Sequence, residues 1–265
     1  MMFSNSKNII SIDLKGMIAS GGRAPLNMDN LHGLFGKISK MKFDALSIVI
    51  NSPGGSPVQS SLIGQKIREI IKKKNVKCYC FVEDVAASGG YWLACSADEI
   101  YADVNSIIGS IGVISGGFGF TELIKKIGVE RRIFTAGENK SFLDPFLKVN
   151  KKDEIKLKDL QKKIHQNFIN WVSSRRGKKI KEKDFKQIFS GTFWLSEEAK
   201  TLGLIDGISS ESVFFKKKFG EKVKIKKIKQ PKSLKQKLGL GISSYAAEEL
   251  VSKAKEELMF NKYGL

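Results

Sequence analysis

The chain has 265 residues, 42% of them hydrophobic and 9% aromatic, which describes a globular protein with a full core and excludes a disordered one. Its formal net charge is +19, carried by forty lysines and six arginines. Nucleic-acid surfaces lean on arginine forks with interleaved aromatics, whereas these lysines come in short scattered runs, so no nucleic-acid partner is expected. A soluble lysine-rich surface is the leading reading, with peripheral contact to anionic lipid headgroups behind it.

Asn8 to Leu14 alternates as a strand, closed by Lys15-Gly16. Asn27 is placed to cap a helix over Met28 to Met41, whose Leu31, Leu34, Phe35, Ile38 and Met41 form one stripe. Ala45 to Ile50 is a short apolar strand, stopped by Asn51-Ser52-Pro53-Gly54-Gly55-Ser56, and Pro57 opens a helix to about Lys74. Lys77 to Val82 reads as a strand, Asp84 to Trp92 as a turn, Leu93 to Ala97 as a short helix, and Glu99 to Ala102 as a brief strand. Strand, glycine loop, helix, strand, serine turn, helix, strand is a βαβ pattern, which predicts an α/β fold with a mainly parallel sheet covered by helices.

Val104 to Thr121 is the longest uncharged run, but five glycines and five polar residues make it a poor membrane helix. Further on, Glu122 to Ile127 reads as a helical turn, Glu130 to Thr135 as a strand, and Asn139 to Asn150 as a loop. Asp153 to Arg176 is a long amphipathic helix, and Ile180 to Phe189 another. Ser196 caps a helix ending near Leu202-Gly203, followed by the strand-like Leu204-Ile205-Asp206. One domain is expected over residues 1–229 and a basic tail over residues 230–265, with helical periodicity from Tyr245 to Leu258. The start enters a strand directly with no apolar signal region, so the expected location is cytoplasmic, at most peripheral to the inner membrane, without a transmembrane anchor. Cys78, Cys80 and Cys95 cannot all pair. Cys78 and Cys80 share a strand face, which favours buried, reduced thiols.

The chemistry centres on Ala86-Ala87-Ser88-Gly89-Gly90-Tyr91, a serine among small residues where a strand meets a helix. Taken alone, such a serine is more often an ordinary helix cap. Small neighbours and a sharp turn also suit an exposed nucleophile that another chain must approach closely. A serine hydroxyl needs a positioned base, and the two histidines, His32 and His165, sit on helices away from any such motif. A lysine amine is the remaining choice, provided its surroundings keep it neutral, for which burial is the usual means. Lys140, alone in a loop outside the lysine runs, is a candidate, although a lone loop lysine is usually just solvated. Ser110, in an otherwise apolar run, could orient the amine or merely bond to backbone. Gly55, after the strand that ends in Asn51-Ser52-Pro53-Gly54, and Gly89 could each offer a backbone N–H to an oxyanion. A plain turn with glycines at positive φ fits the same residues.

Ile50-Asn51-Ser52-Pro53-Gly54-Gly55, Ala86-Ala87-Ser88-Gly89-Gly90-Tyr91, Gly109-Ser110-Ile111-Gly112-Val113 and Gly137-x-x-Lys140, in this order and spacing, resemble the signal peptide peptidase A family of serine proteases, as does Ala199-x-x-Leu202-Gly203-Leu204-Ile205-Asp206. The resemblance covers roughly residues 8–210 and implies a Clp/crotonase-like fold of repeated β-β-α units. It implies Ser88 as nucleophile, Lys140 as general base and Ser110 as the hydroxyl holding the amine, with no metal and no cofactor. It further implies peptide substrates, signal-peptide remnants or other unfolded segments, and ring- or dome-like homo-oligomers. With serine and lysine in one unit, the chain looks like the short form of the family. Extended peptide would pair near Gly54, Gly55 and Ser56 on one side and Ile111 and Gly112 on the other. A stomatin-cleaving or phage-head-type protease shares the dyad. A crotonase-like acyl-thioester enzyme would want acidic residues beside the glycine loop, which are missing there. An inactive peptide-binding scaffold would be favoured only if Ser88 or Lys140 were absent.

Overall fold

Near-continuous apolar runs such as Ala45 to Ile50 are what a parallel sheet buried on both faces requires, and they form its centre. A computed structural model describes residues 6–21, 26–137, 139–229, 254 and 256–265. Two compact units divide the chain: residues up to Gly112 together with those from Phe168 on, and residues Val113–Asn167.

In the first unit, the early elements are β1 (Asn8–Lys15), α1 (Met28–Lys40), β2 (Ala45–Ser52), α2 (Pro57–Lys74), β3 (Lys77–Ala87), α3 (Gly89–Ala94), β4 (Glu99–Ala102) and β5 (Ile107–Gly109). β1, β2 and β3 run parallel side by side. β3 then forks: Tyr79–Val82 pair with β4, and Val85–Ala87 pair with β5. Leu31, Leu34, Phe35 and Ile38 of α1 and Ile63, Ile67, Ile70 and Ile71 of α2 cover one face together with Cys78 and Cys80. Asn27 does cap α1, accepting from Asn30 N at 2.8 Å, and Ser56 caps α2, accepting from Gln59 N at 3.3 Å.

The second unit holds the short α4 (Thr121–Lys126) and the beginning of α5 (Lys151–Arg176). Its internal ties are modest: Phe120 N donates to Pro145 O at 2.7 Å, Arg131 pairs with Asp144 at 2.9 Å, and the Phe120 and Phe146 rings lie 5.5 Å apart. None of its described residues is buried. Glu130 to Thr135 is not a strand, because no neighbouring strand in this unit offers it a ladder; Phe134 is 94% exposed.

The rest of the first unit comprises α6 (Phe185–Ile188), β6 (Phe193–Leu195), α7 (Ser196–Thr201), β7 (Gly207–Ile208), α8 (Glu211–Phe219) and β8 (Lys224–Lys227). β6 pairs antiparallel with β5, β7 extends β4, and β8 returns to pair with β1. Phe214 and Phe215 of α8 cover the other sheet face at Tyr79 and Phe81. Several boundaries move. β3 runs on through Ala87, and α3 starts at Gly89, because Ser88 alone makes the turn. The helix expected over Ile180 to Phe189 is a 3-10 turn at Glu182–Asp184 followed by α6. Ser196 is not a cap; its hydroxyl donates to Asp103 O. The strand expected at Leu204-Ile205-Asp206 lies one step on, at β7. Most of the helical periodicity from Tyr245 to Leu258 falls outside the described residues, as does most of residues 230–265.

The tail end of α5 braces α3. Trp92 stacks on Trp171 with centroids 5.7 Å apart, and Trp171 Nε1 donates to Trp92 O at 3.0 Å. The buried Arg176 donates to Gly203 O and to Asp206 Oδ2 at 2.6 Å. Burial alone would raise the Asp206 carboxyl, but Arg176, Lys179 and the Ile100 N–H together hold it below the usual range. A depressed folded value stabilises the fold above the unfolded value, so this contribution is lost as pH falls below about 4. Asp206→Asn should flatten the acid limb of a stability–pH curve measured by urea unfolding. Arg176→Ala, which strands a carboxylate in the interior, should cost about 3–5 kcal/mol at neutral pH in the same assay.

Candidate active site

Ser88 carries φ 52° and ψ −122°, a region that L-residues enter at a cost of about 1–3 kcal/mol unless neighbours impose it. Here they do. Ser88 N donates to Gly109 O at 2.8 Å, and Ser88 O accepts from Trp92 N at 3.0 Å. Gly54, at φ 98°, lies directly against the turn: a Cβ on it would be 2.7 Å from Ala87 O, 2.7 Å from Gly89 N and 2.8 Å from Ser88 Cβ. Only glycine fits there.

The β3–β5 register pairs Ala87 with Gly109, so Ser88 and Ser110 stand one step beyond the ends of adjacent parallel strands. Ser110 has φ 51°, is 6% exposed, and its N–H donates to Thr192 O at 2.7 Å. Both serines thus have a positive φ at the ends of neighbouring strands.

Ile18 threads the glycine loop: Ile18 N donates to Gly54 O at 2.8 Å, and Ser56 N to Ile18 O at 2.7 Å. Ser52 Oγ accepts from Gly54 N at 3.2 Å. Gly55 sits between these bonds at φ 138°. Among the described residues neither Gly55 N–H nor Gly89 N–H has an acceptor, and a Cβ on Gly89 would be only 3.3 Å from Gly55 N. Two unengaged N–H groups side by side at the serine turn are the elements of an oxyanion hole. Ser56 is spent on structure, since its side chain caps α2 and its carbonyl accepts from Ser60. Gly54 is likewise committed at N–H and C=O, so the loop's contribution falls to Gly55. Ile111 is buried, and Gly112 N donates to Ser110 O at 3.0 Å.

Lys140 belongs to the second unit, where it is exposed in a turn closed by Lys140 N donating to Gly137 O at 3.3 Å. The burial expected for an amine base is not seen there. His32 is exposed on α1, and His165 lies in the second unit. Burial pushes the three thiols up, Cys95 to about 12, so none is a nucleophile at neutral pH.

Two supports were not legible as such in the sequence. Tyr91 donates its buried hydroxyl to Leu204 O at 2.8 Å, and Gly203 O accepts from Arg176, so the Ala199 to Asp206 motif fixes α3 behind Ser88. The signal was present as a motif, but its purpose is structural. The second is Tyr263, whose ring packs with Val85 and Ala87 at the end of β3 just before Ser88; nothing in the spacing pointed to it.

A forked, mainly parallel sheet with a strained serine between strand and helix places the molecule in the Clp/crotonase-like class. The chain belongs to peptidase family S49, whose profile its residues 70–224 match. It is 44% identical over 270 residues to a Brucella abortus protein named Na(+)/H(+) antiporter NhaA, covering 96% of this chain and 36% of that one. It is 34% identical over 172 residues to protease 4 of Haemophilus influenzae (63% and 26%) and 28% identical over 200 residues to the chloroplastic serine protease SPPA of Arabidopsis thaliana (75% and 29%). The chain therefore spans about a third of the length of these relatives. Solved structures of the 1510-N membrane-bound stomatin-specific protease share the fold at 16% identity, with a TM-score of 0.54 over 86% of this chain and 99% of that one. A second of them, in complex with a substrate peptide, gives 0.55 over 88% and 96%.

Proposed function

We propose that this chain is a serine endopeptidase in which Ser88 is the nucleophile and Lys140 the general base. The observation that carries the reading is the unengaged Gly55 and Gly89 N–H pair beside the strained Ser88. Ser88 Oγ attacks the scissile carbonyl carbon while its proton passes to the Lys140 amine. The oxyanion accepts from Gly55 and Gly89, each worth roughly 3 kcal/mol of barrier. Collapse of the tetrahedral adduct breaks the C–N bond, and the lysine returns the proton to the leaving amine. Water, deprotonated by the same lysine, then hydrolyses the ester. Ser110 orients the amine.

Signal-peptide remnants or other unfolded, membrane-derived peptides are the substrates this reading favours, supported by family membership and the protease names of the relatives. Antiporter activity is not carried over, because the shared residues include the family S49 match and the serine turn. Assembly into a homo-oligomer is supported by exposed apolar side chains of the second unit, among them Ile114, Phe118, Ile127 and Phe134. Lysines of α8 and β8 support contact with anionic lipid. No helix among the described residues is long and apolar enough to cross a membrane.

A fluorophosphonate probe applied to wild type and Lys140→Ala side by side tests the dyad. Labelling at Ser88 should vanish in the lysine variant, and equal labelling of both would place the base elsewhere. Ser110→Ala should lower kcat by about tenfold to a hundredfold, less than loss of either reacting group. Peptide cleavage should rise with pH between about 6 and 9, as an amine base requires.

A further inference from the structure

Ser60 lies in the first turn of α2 and is fully buried. Its N–H donates to Ser56 O at 3.0 Å, and its hydroxyl donates to the same oxygen at 2.8 Å. The helix gains little from that second bond. A serine that bonds back one turn is a poorer helix former than alanine, so local propensity argues against the residue found here. The neighbouring α3 supplies a reason for it. A Cβ on Gly89 would overlap Ser60 Oγ, with Ile18 Cδ1 next at 3.2 Å and Gly55 N at 3.3 Å. The hydroxyl thus closes the side of Gly89 on which a methyl would stand, and its hydrogen bond ties it to the residue after Gly55. Gly90 is gripped in the same way, since a Cβ there would overlap Ser52 O.

We propose that Ser60 is a positioning residue of the oxyanion hole, its hydroxyl being the stop that fixes the Gly89 N–H beside the Gly55 N–H. The inference rests on the peptidase reading of Ser88. Two donors hold an oxyanion well only at a set separation, and these two belong to different elements: Gly89 opens α3, and Gly55 lies in the loop ahead of α2. Ser60 meets both sides, the loop through Ser56 O and α3 through the bare α-carbon of Gly89. Without the oxygen, Gly89 can settle toward α2 and carry its N–H out of line. Ligand binding is untouched by that shift, so the loss falls on the chemical step.

Fluorophosphonate labelling of Ser88 in the whole chain tests this, because the phosphonyl oxygen occupies the place of the oxyanion. In Ser60→Ala the maximal labelling rate should fall about tenfold, at an unchanged half-saturating probe concentration and with no drop in the urea midpoint. Gly89→Ala, whose methyl strikes Ser60 Oγ, should be labelled at least about a hundredfold more slowly than wild type. Adding Ser60→Ala to Gly89→Ala clears that oxygen and leaves Ile18 Cδ1 and Gly55 N as the nearest atoms, so the double variant should regain about tenfold or more over Gly89→Ala alone. Wild-type labelling of Ser60→Ala, whether or not its urea midpoint falls, overturns the proposal and leaves the peptidase reading intact, as does a double variant no faster than Gly89→Ala. Absence of labelling in every chain, wild type included, overturns the peptidase reading and this inference with it.

Discussion

Ser88→Ala should abolish peptide cleavage, lowering kcat/KM by at least about 10³-fold, while unfolding by urea shifts little. The expectation combines two facts about one residue. Its hydroxyl is the only group at the β3–α3 turn able to form an ester, and the turn itself is enforced by its surroundings. Gly109 O, Trp92 N and the face of Gly54 hold the backbone at φ 52° whatever the side chain. Removing the oxygen therefore deletes chemistry without relaxing the site. The proposed oxyanion donors Gly55 and Gly89 remain, and a residual rate above the uncatalysed one is expected from them. Cleavage within tenfold of wild type would remove Ser88 from the mechanism.

Gly54→Ala should damage both stability and activity. The added methyl meets three atoms of the serine turn at 2.7, 2.7 and 2.8 Å, two of them backbone, and the residue sits at φ 98°. Backbone cannot swing aside as a flexible side chain would. About 1 kcal/mol of backbone strain and 1–3 kcal/mol of overpacking follow. Because Gly89 N is one of the three atoms struck, the proposed oxyanion donor moves too, and labelling of Ser88 should fall about a hundredfold or more. Gly116→Ala, which meets nothing within 4 Å, is the control and should be near neutral in both assays.

Much of this site could be read from the sequence because its parts are local. A strand followed by Ser-Gly-Gly, and a strand followed by Pro-Gly-Gly, announce their geometry within a few residues. α2 falls on Pro57 to Lys74 because proline, apolar spacing and the αL Asn75 all mark it. What escaped is long-range. β5 and β6 are three residues each, too short for any period, and exist only because they pair with each other and with β3. β8 is a lysine-rich tetrapeptide that no propensity favours as a strand; β1 recruits it. The Glu130 to Thr135 error has the inverse cause: adequate local propensity with no neighbour to pair. The packing of Tyr263 against Val85 and Ala87 spans most of the chain and leaves no trace in spacing.

The pairing of β8 with β1 also sets the order in which the protein can mature. Until residues 224–227 have been synthesised, the outer edge of β1, made of Ile9, Ile10 and Ser11, is bare. At translation speeds of about 5–20 residues per second, that edge waits roughly 10–40 s on the ribosome. A nascent chain with an open apolar strand edge is a substrate for chaperones and a template for aggregation. β8 ends the exposure by presenting Lys224, Lys226 and Lys227 as the new rim, so the last strand among the described residues is also the one that makes the sheet unattractive to its neighbours.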